Sequence, residues 1–255
     1  MRSEETLKIC RELRTKFLPR AEDIVKEALL ELNLQKGMIT PKDALKGFDK
    51  NLRRVFDQTL VVLERYERKV YITALKEVAK RRQSELVGKD IEDSLEILMD
   101  DIWKVMQSRS QSRKSRGGSD FELELQGLLE LCGITYTAQA AKERTDLIIP
   151  SLKFFQRDRT KSIIVSAKRT LRERWKQVAE ELYATRSPNV YLAVAEEIGQ
   201  ITKEKADAVW KYNIHLLVWD NLKKSDFPSH PGVIGYSEFA TVEIPTFQRH
   251  WTKKI

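Results

Sequence analysis

Cysteine is scarce in this chain: 255 residues hold only Cys10 and Cys132. Two thiols make neither a disulfide framework nor a zinc site, and they fit a reducing cytoplasm. Free cysteines are mostly buried thiols, which is the expectation for both. Long apolar runs are also missing, so no membrane-spanning helix is expected. The opening Met-Arg-Ser-Glu-Glu-Thr-Leu-Lys lacks the apolar core of a signal peptide. Histidine is limited to His215, His230 and His250, and their spacing suits no metal site. No GxxxxGK loop followed by Ser or Thr is present, nor a GxSxG turn. A nucleotide cofactor and a serine nucleophile of that type are therefore not expected.

What is present is charge. The chain is 41% hydrophobic and 33% charged, with a net charge of +8. That balance reads as a soluble, ordered protein of one or two domains. Residues 1–100 hold 21 Lys and Arg against 19 Asp and Glu, and residues 119–255 hold 20 against 18. Residues 101–118 hold Lys104, Arg109, Arg113, Lys114 and Arg116 against Asp101 alone. Half of the excess thus lies in one short segment, as a polyanion contact or a solubilising basic linker would require.

Residues 1–107 read as all-helical. Leu7, Cys10, Leu13, Phe17 and Leu18 recur at helical spacing, Pro19 interrupts, and Ala21 to Leu34 forms a second amphipathic run. Thr40-Pro-Lys-Asp43 has the cap, first-turn proline and early acid of a helix start. One long helix, or two, extends from there to about Leu86. Gly88 stops it, and Asp90 can cap another helix through Met106. This half holds no catalytic constellation, and its long apolar stripes suggest pairing with a second subunit.

Residues 107–119 are polar, basic and glycine-ended, and read as the boundary between a helical domain (1–107) and a second domain (108–255). A helix over Phe121–Leu131 follows, then an extended stretch from Ile134 to Thr137. Strands are expected at residues 144–150, 163–168, 189–194 and 214–219, with helices around Trp175–Leu182 and Thr202–Tyr212. Beyond Lys223 the chain reads as loop. The second half is thus an α/β layer around a mixed sheet of about five strands.

Within that layer Ile163–Ala167 is a short β-branched run that reads as a buried strand. Alternation puts Ile164, Ser166 and Lys168 on one face, with Lys168 at the strand's C-terminal end. If the strand carrying Asp146 pairs alongside, Asp146 and Lys168 meet. Carboxylate oxygens there could hold Mg2+. The ion would lower a water's pKa and offset charge on a phosphodiester, while the lysine holds the scissile phosphate or positions the water.

Asp146 with Ser166-x-Lys168 resembles the PD-(D/E)XK nuclease core. Lys168-Arg-Thr-Leu-Arg-Glu-Arg-Trp, with Ser112-Arg-Lys-Ser-Arg-Gly-Gly-Ser-Asp-Phe-Glu122, is similar to type II restriction endonucleases of the CCGG/EcoRII-related group. The resemblance covers roughly residues 108–220. It implies a restriction-endonuclease-like α/β core and Mg2+-dependent cutting of duplex DNA at a palindrome with a CCGG core, leaving 5' overhangs. Ser166 stands where the parent motif has an acid. The group shares that departure and takes a carboxylate from the next helix, here Glu181 or its neighbour Glu180. Glu122, or Glu124 in its place, would complete the metal set with Asp146 and Glu181.

The resemblance also makes Arg172, Glu173 and Arg174 the base readers. Arginine can donate twice to guanine, and glutamate can accept from cytosine N4. Arg113, Lys114 and Arg116 would hold phosphates, which position a protein without specifying sequence. The implied partners are duplex DNA and a second subunit, in a homodimer or a higher assembly such as a tetramer. A prokaryotic cytoplasm is the implied location. The alternatives are a structure-specific nuclease of the same fold, in repair or recombination, and a dimeric DNA-binding protein without catalysis.

Overall fold

The computed structural model describes residues 2–140, 145–171, 176, 180, 182–183 and 187–251. The chain divides into two compact units: Met1–Ala28 with Asp57–Asp120, and Leu29–Phe56 with Phe121–Ile255. No helix among the described residues is long and apolar enough to cross a membrane.

The first unit is helical, as expected. It contains α1 (Arg2–Phe17) and most of α2 (Ala21–Glu31). It also holds the later part of α4 (Phe48–Arg81), short α5 (Gln83–Leu86) and the first thirty residues of α6 (Ile91–Leu131). Ile9, Cys10, Val70, Ala74, Val78 and Val105 form one core cluster, and Ile24, Ala28, Val62 and Leu63 form another. Asp101 is buried and held by Thr6 Oγ1 and by Arg82 Nε at 3.2 Å. The long helical stretch breaks at Gly47, just after α3 (Pro41–Lys46), and again at Arg82. Thr40 caps α3, accepting from the Asp43 amide at 3.2 Å. Asp90 likewise accepts from the Asp93 amide at the start of α6.

The segment expected as a linker is the middle of α6, a helix of 41 residues. The two glycines at 117 and 118 cost a helix roughly 1 kcal/mol each. Pairing offsets this. Ser108 and Ser112 are buried, and Arg109 and Arg113 both reach Glu67 on α4, whose side chain is 1% exposed. The compact units therefore differ from a cut at residue 107, and α4 and α6 each contribute to both.

The second unit is the α/β layer. Its sheet has six strands rather than about five: β1 (Thr137–Ala140), β2 (Thr145–Ile149), β3 (Ile163–Lys168), β4 (Val190–Val194), β5 (Ile214–Val218) and β6 (Val233–Gly235). They lie in chain order, antiparallel from β1 to β3 and parallel from β3 to β6. The inner strands are buried along nearly their whole length, which is why they read as continuous apolar runs. The extended stretch expected over Ile134–Thr137 falls later, as β1. Past Lys223 the expected loop is largely helical, with β6 between helices Asp220–Asp226 and Tyr236–Glu238 and a last helix, Ile244–Trp251.

His215 on β5 stacks on Tyr191 of β4, ring centroids 5.1 Å apart. Its Nδ1 has no hydrogen-bond partner among the described residues. Burial lowers its pKa from 6.5, against a smaller opposing pull from Glu243. A histidine that resists protonation when folded favours folding above its unfolded pKa, and that stability is lost as pH falls through it. The melting temperature is therefore expected to drop as pH falls below about 6.5, and less so in His215→Phe. Equal pH dependence in the two proteins would remove His215 as a cause.

Candidate active site

The site is built on two neighbouring strands of the second unit. β2 and β3 run antiparallel with Leu147 opposite Val165, so Asp146 lies opposite Ser166. Alternation then sets Asp146, Ser166 and Lys168 on one face. The three side chains converge. Lys168 Nζ lies 3.0 Å from Asp146 Oδ2, and Ser166 Oγ and the Ala167 amide donate to the same oxygen at 2.8 Å each. The expected meeting of Asp146 and Lys168 is therefore present.

The geometry divides the carboxylate. Oδ2 accepts all three hydrogen bonds, and among the described residues none goes to Oδ1. Charge-assisted bonds of this kind fix a carboxylate's orientation. The pair is reachable by a substrate: the side chains are 38% exposed for Lys168 and 22% for Asp146. A fixed carboxylate with one oxygen left over, beside a lysine, suits a hard oxygen-seeking cation such as Mg2+. No cluster of three or more metal-ligating side chains forms among the described residues.

Glu122 lies on the part of α6 that belongs to this unit, and it accepts from Gln126 Nε2 at 3.0 Å. Its neighbour Phe121 is fully buried, edge-on to Phe56, Trp219 and Tyr236 at 6.1 to 6.5 Å. That aromatic anchor sets where Glu122 and Glu124 lie, and both are buried. Glu180 is exposed. Glu181, Arg172, Glu173 and Arg174 lie outside the described residues. In the helical unit, Lys114 is exposed, whereas Arg113 and Arg116 bond to groups within the unit. Arg113 binds Glu67 at 2.6 Å, and Arg116 donates to the Pro19 carbonyl at 2.9 Å.

Two contributors were not read from the sequence. For Ser166, which the sequence puts on the Lys168 face where the parent motif has an acid, the added role is a hydroxyl that orients Asp146; the register of two consecutive strands is the signal. Arg169, next after Lys168, lays its guanidinium over the Phe56 ring, 4.9 Å from the centroid. Burial pushes the Cys132 thiol up to about 12 and raises the Cys10 pKa. Cys10 is buried, as expected, whereas Cys132 is only half-buried; a raised pKa disfavours the thiolate at both.

The chain is similar to known proteins. The chain is 26% identical over 148 residues to the type II restriction enzyme SsoII of Shigella sonnei, a match covering 54% of this chain. It spans about half, 48%, of the length of that curated relative. Among solved structures, metal-depleted Ecl18kI in complex with uncleaved DNA superposes with a TM-score of 0.87 at 20% identity. That match covers 99% of this chain and 87% of the other. The restriction endonuclease PspGI, in complex with substrate DNA, gives a TM-score of 0.64 at 22% identity, covering 91% and 94%. These likenesses establish a restriction-endonuclease fold. The family model described as EcoRII C terminal matches residues 79–231, more than half of the chain, and the protein belongs to that family.

Proposed function

We propose that this protein is a type II restriction endonuclease that hydrolyses duplex DNA, with Mg2+, at a palindrome with a CCGG core. The observation that carries the reading is the convergence of Asp146, Ser166 and Lys168 on one sheet face in a member of this family. Lys168 would hold a non-bridging phosphate oxygen or the attacking water, and its charge would offset the charge developing on phosphorus. Ser166 and the Ala167 amide would keep Asp146 turned so that Oδ1 meets the cation. Mg2+, held by Asp146 with Glu181 and Glu122, would lower a water's pKa and act as a Lewis acid. Water adds to phosphorus, the bond to O3' breaks, and the proton displaced from the water ends on the leaving oxygen or in solvent. The cut leaves a 5'-phosphate and a 3'-hydroxyl, on staggered 5'-overhang ends.

Arg172, Glu173 and Arg174 would read the C·G pairs of one half-site in each subunit of a two-fold dimer. Each good bidentate contact supplies about 1–3 kcal/mol of discrimination. Lys114, with Arg113 and Arg116, is assigned to the DNA backbone. The location that fits is a prokaryotic cytoplasm.

The test is incubation with unmethylated plasmid, with and without Mg2+, followed by sequencing of the cut ends. Discrete ends within CCGG-containing sites are expected, and the same sequences report the half-site spacing and the stagger. Metal-dependent but scattered cutting would point to a structure-specific nuclease instead. A folded protein that shifts DNA and never cuts it would be a binder without catalysis.

A further inference from the structure

Arg169 follows Lys168 at the end of β3. The Ala195 amide donates to the Arg169 carbonyl at 3.3 Å, so the pairing of β3 with β4 runs one bond past Lys168. Alternation therefore turns the Arg169 side chain to the face opposite Lys168. There its guanidinium lies over the Phe56 ring, 4.9 Å from the centroid. Phe56 is itself held edge-on by Phe121 at 6.1 Å and Trp219 at 6.0 Å. Stacking on a fixed ring holds a long cationic side chain in one place.

The cation is held, yet no anion of the protein meets it. Nη2 is shut away from solvent with no hydrogen-bond partner, and the guanidinium makes no ion pair among the described residues. The residue is partly exposed, so the rest of the fork reaches water. Arg53 gives the contrast. It stacks on Trp219 of the same aromatic group, 4.6 Å from the centroid, but Glu197 at 2.7 Å neutralises it and Asn221 Oδ1 accepts from it at 3.0 Å. An arginine that only braced the aromatic group would gain from a carboxylate, as Arg53 does, because an unmet donor is costly.

We infer that Arg169 is a second phosphate-binding cation, which takes the backbone phosphate next to the one at Lys168 on the same DNA strand. The inference deepens the function proposed above and rests on its placing of the scissile phosphate at Lys168. Two cations leaving neighbouring Cα atoms, about 3.8 Å apart, toward opposite faces straddle that strand. Arginine's planar fork fits two phosphate oxygens at once. Its stack on Phe56 orders it before DNA arrives, which lowers the cost of binding. The contact positions the strand and reads no base.

Binding of a duplex with a central CCGG tests it, measured without metal over a range of salt. The parent is compared with Arg169→Ala and Arg169→Lys. Arg169→Ala is expected to bind at least about tenfold more weakly, the worth of one charge-assisted contact. Its log–log salt slope is expected to be shallower by about 0.9, the mark of one phosphate lost. Arg169→Lys keeps the charge and is expected to keep the parent's slope. Arg169→Gln serves the same comparison if Arg169→Ala does not fold. A single uncharged methylphosphonate, moved along the strand, then locates the contact. Next to the scissile phosphate it is expected to weaken the parent about as much as Arg169→Ala does, and to weaken the variant little further. Parent-like affinity and slope in Arg169→Ala overturn the inference. So does a lower melting temperature with an unchanged slope, which would make Arg169 a brace for Phe56 alone. Plasmid cleavage by the parent is scored separately. Phosphate coupling in a protein that never cuts rejects the nuclease reading alone. A parent that cuts, with an Arg169→Ala that binds as tightly, rejects the Arg169 contact alone.

Discussion

Lys168→Ala is expected to slow DNA cleavage by about 10²–10³-fold, the usual cost of removing one group aimed at developing charge. The ammonium lies 3.0 Å from Asp146 Oδ2 at the open end of β3. No other Lys or Arg among the described residues makes a side-chain bond to that carboxylate. Its loss removes the cation proposed to face the phosphate and one of the three bonds that Asp146 Oδ2 accepts. The side chain is 38% exposed, so the fold should tolerate the change; an exposed ion pair contributes only about 0–1 kcal/mol to stability. Single-turnover rates on one duplex, with DNA binding measured in parallel, give the answer. A variant that binds DNA and cuts within threefold of the parent would remove Lys168 from the chemistry.

The second large effect concerns stability. Arg109→Ala/Arg113→Ala is expected to destabilise the protein by about 3 kcal/mol. Glu67 is 1% exposed, and its carboxylate is held by Arg109 Nε at 3.0 Å and Arg113 Nη2 at 2.6 Å. A buried charge stripped of its partners costs about 3–5 kcal/mol. The lower end applies because the arginines are themselves 28% and 40% exposed, which leaves water a way in. For a chain of this size that is a melting-temperature drop of roughly 6–12 °C. Glu67→Gln in the same background should recover part of it, because it removes the orphaned charge. The phosphate role assigned to Arg113 makes the contrasting forecast. Unchanged melting, weaker DNA binding and a salt dependence shallower by about one counterion for each arginine lost would mean that Arg109 and Arg113 serve DNA instead.

How far the sequence could be read follows from the range of the interactions. Asp146 and Lys168 were legible because β2 and β3 are consecutive and antiparallel. Two-residue alternation then suffices to put both groups on one face. The same holds for Thr40 and Asp90, whose capping bonds span three residues. The middle of α6 was not legible. Gln-Ser-Arg-Ser-Gln-Ser-Arg is polar enough for a linker, and what keeps it helical is a carboxylate 42 and 46 residues away, Glu67. The C-terminal helices were hidden by Pro228, Pro231 and Pro245. The first two do lie outside regular structure, but Pro245 is inside a helix. A widened π turn at Phe239–Glu243 directly precedes that helix, where the missing amide and the ring's clash with the preceding turn can be absorbed. The candidate base readers rest on the resemblance of their motif alone.

The measurement that bears most directly on the site is relaxation of supercoiled plasmid, with and without Mg2+, by the parent and by Asp146→Asn. The substitution keeps the side chain's size and removes the charge on which all three donors converge. Metal-dependent conversion to linear DNA by the parent, and none by Asp146→Asn under equal DNA binding, is the expected result. Equal cutting by both proteins, or cutting by the parent that ignores Mg2+, would contradict a metal-dependent nuclease centred on Asp146 and Lys168.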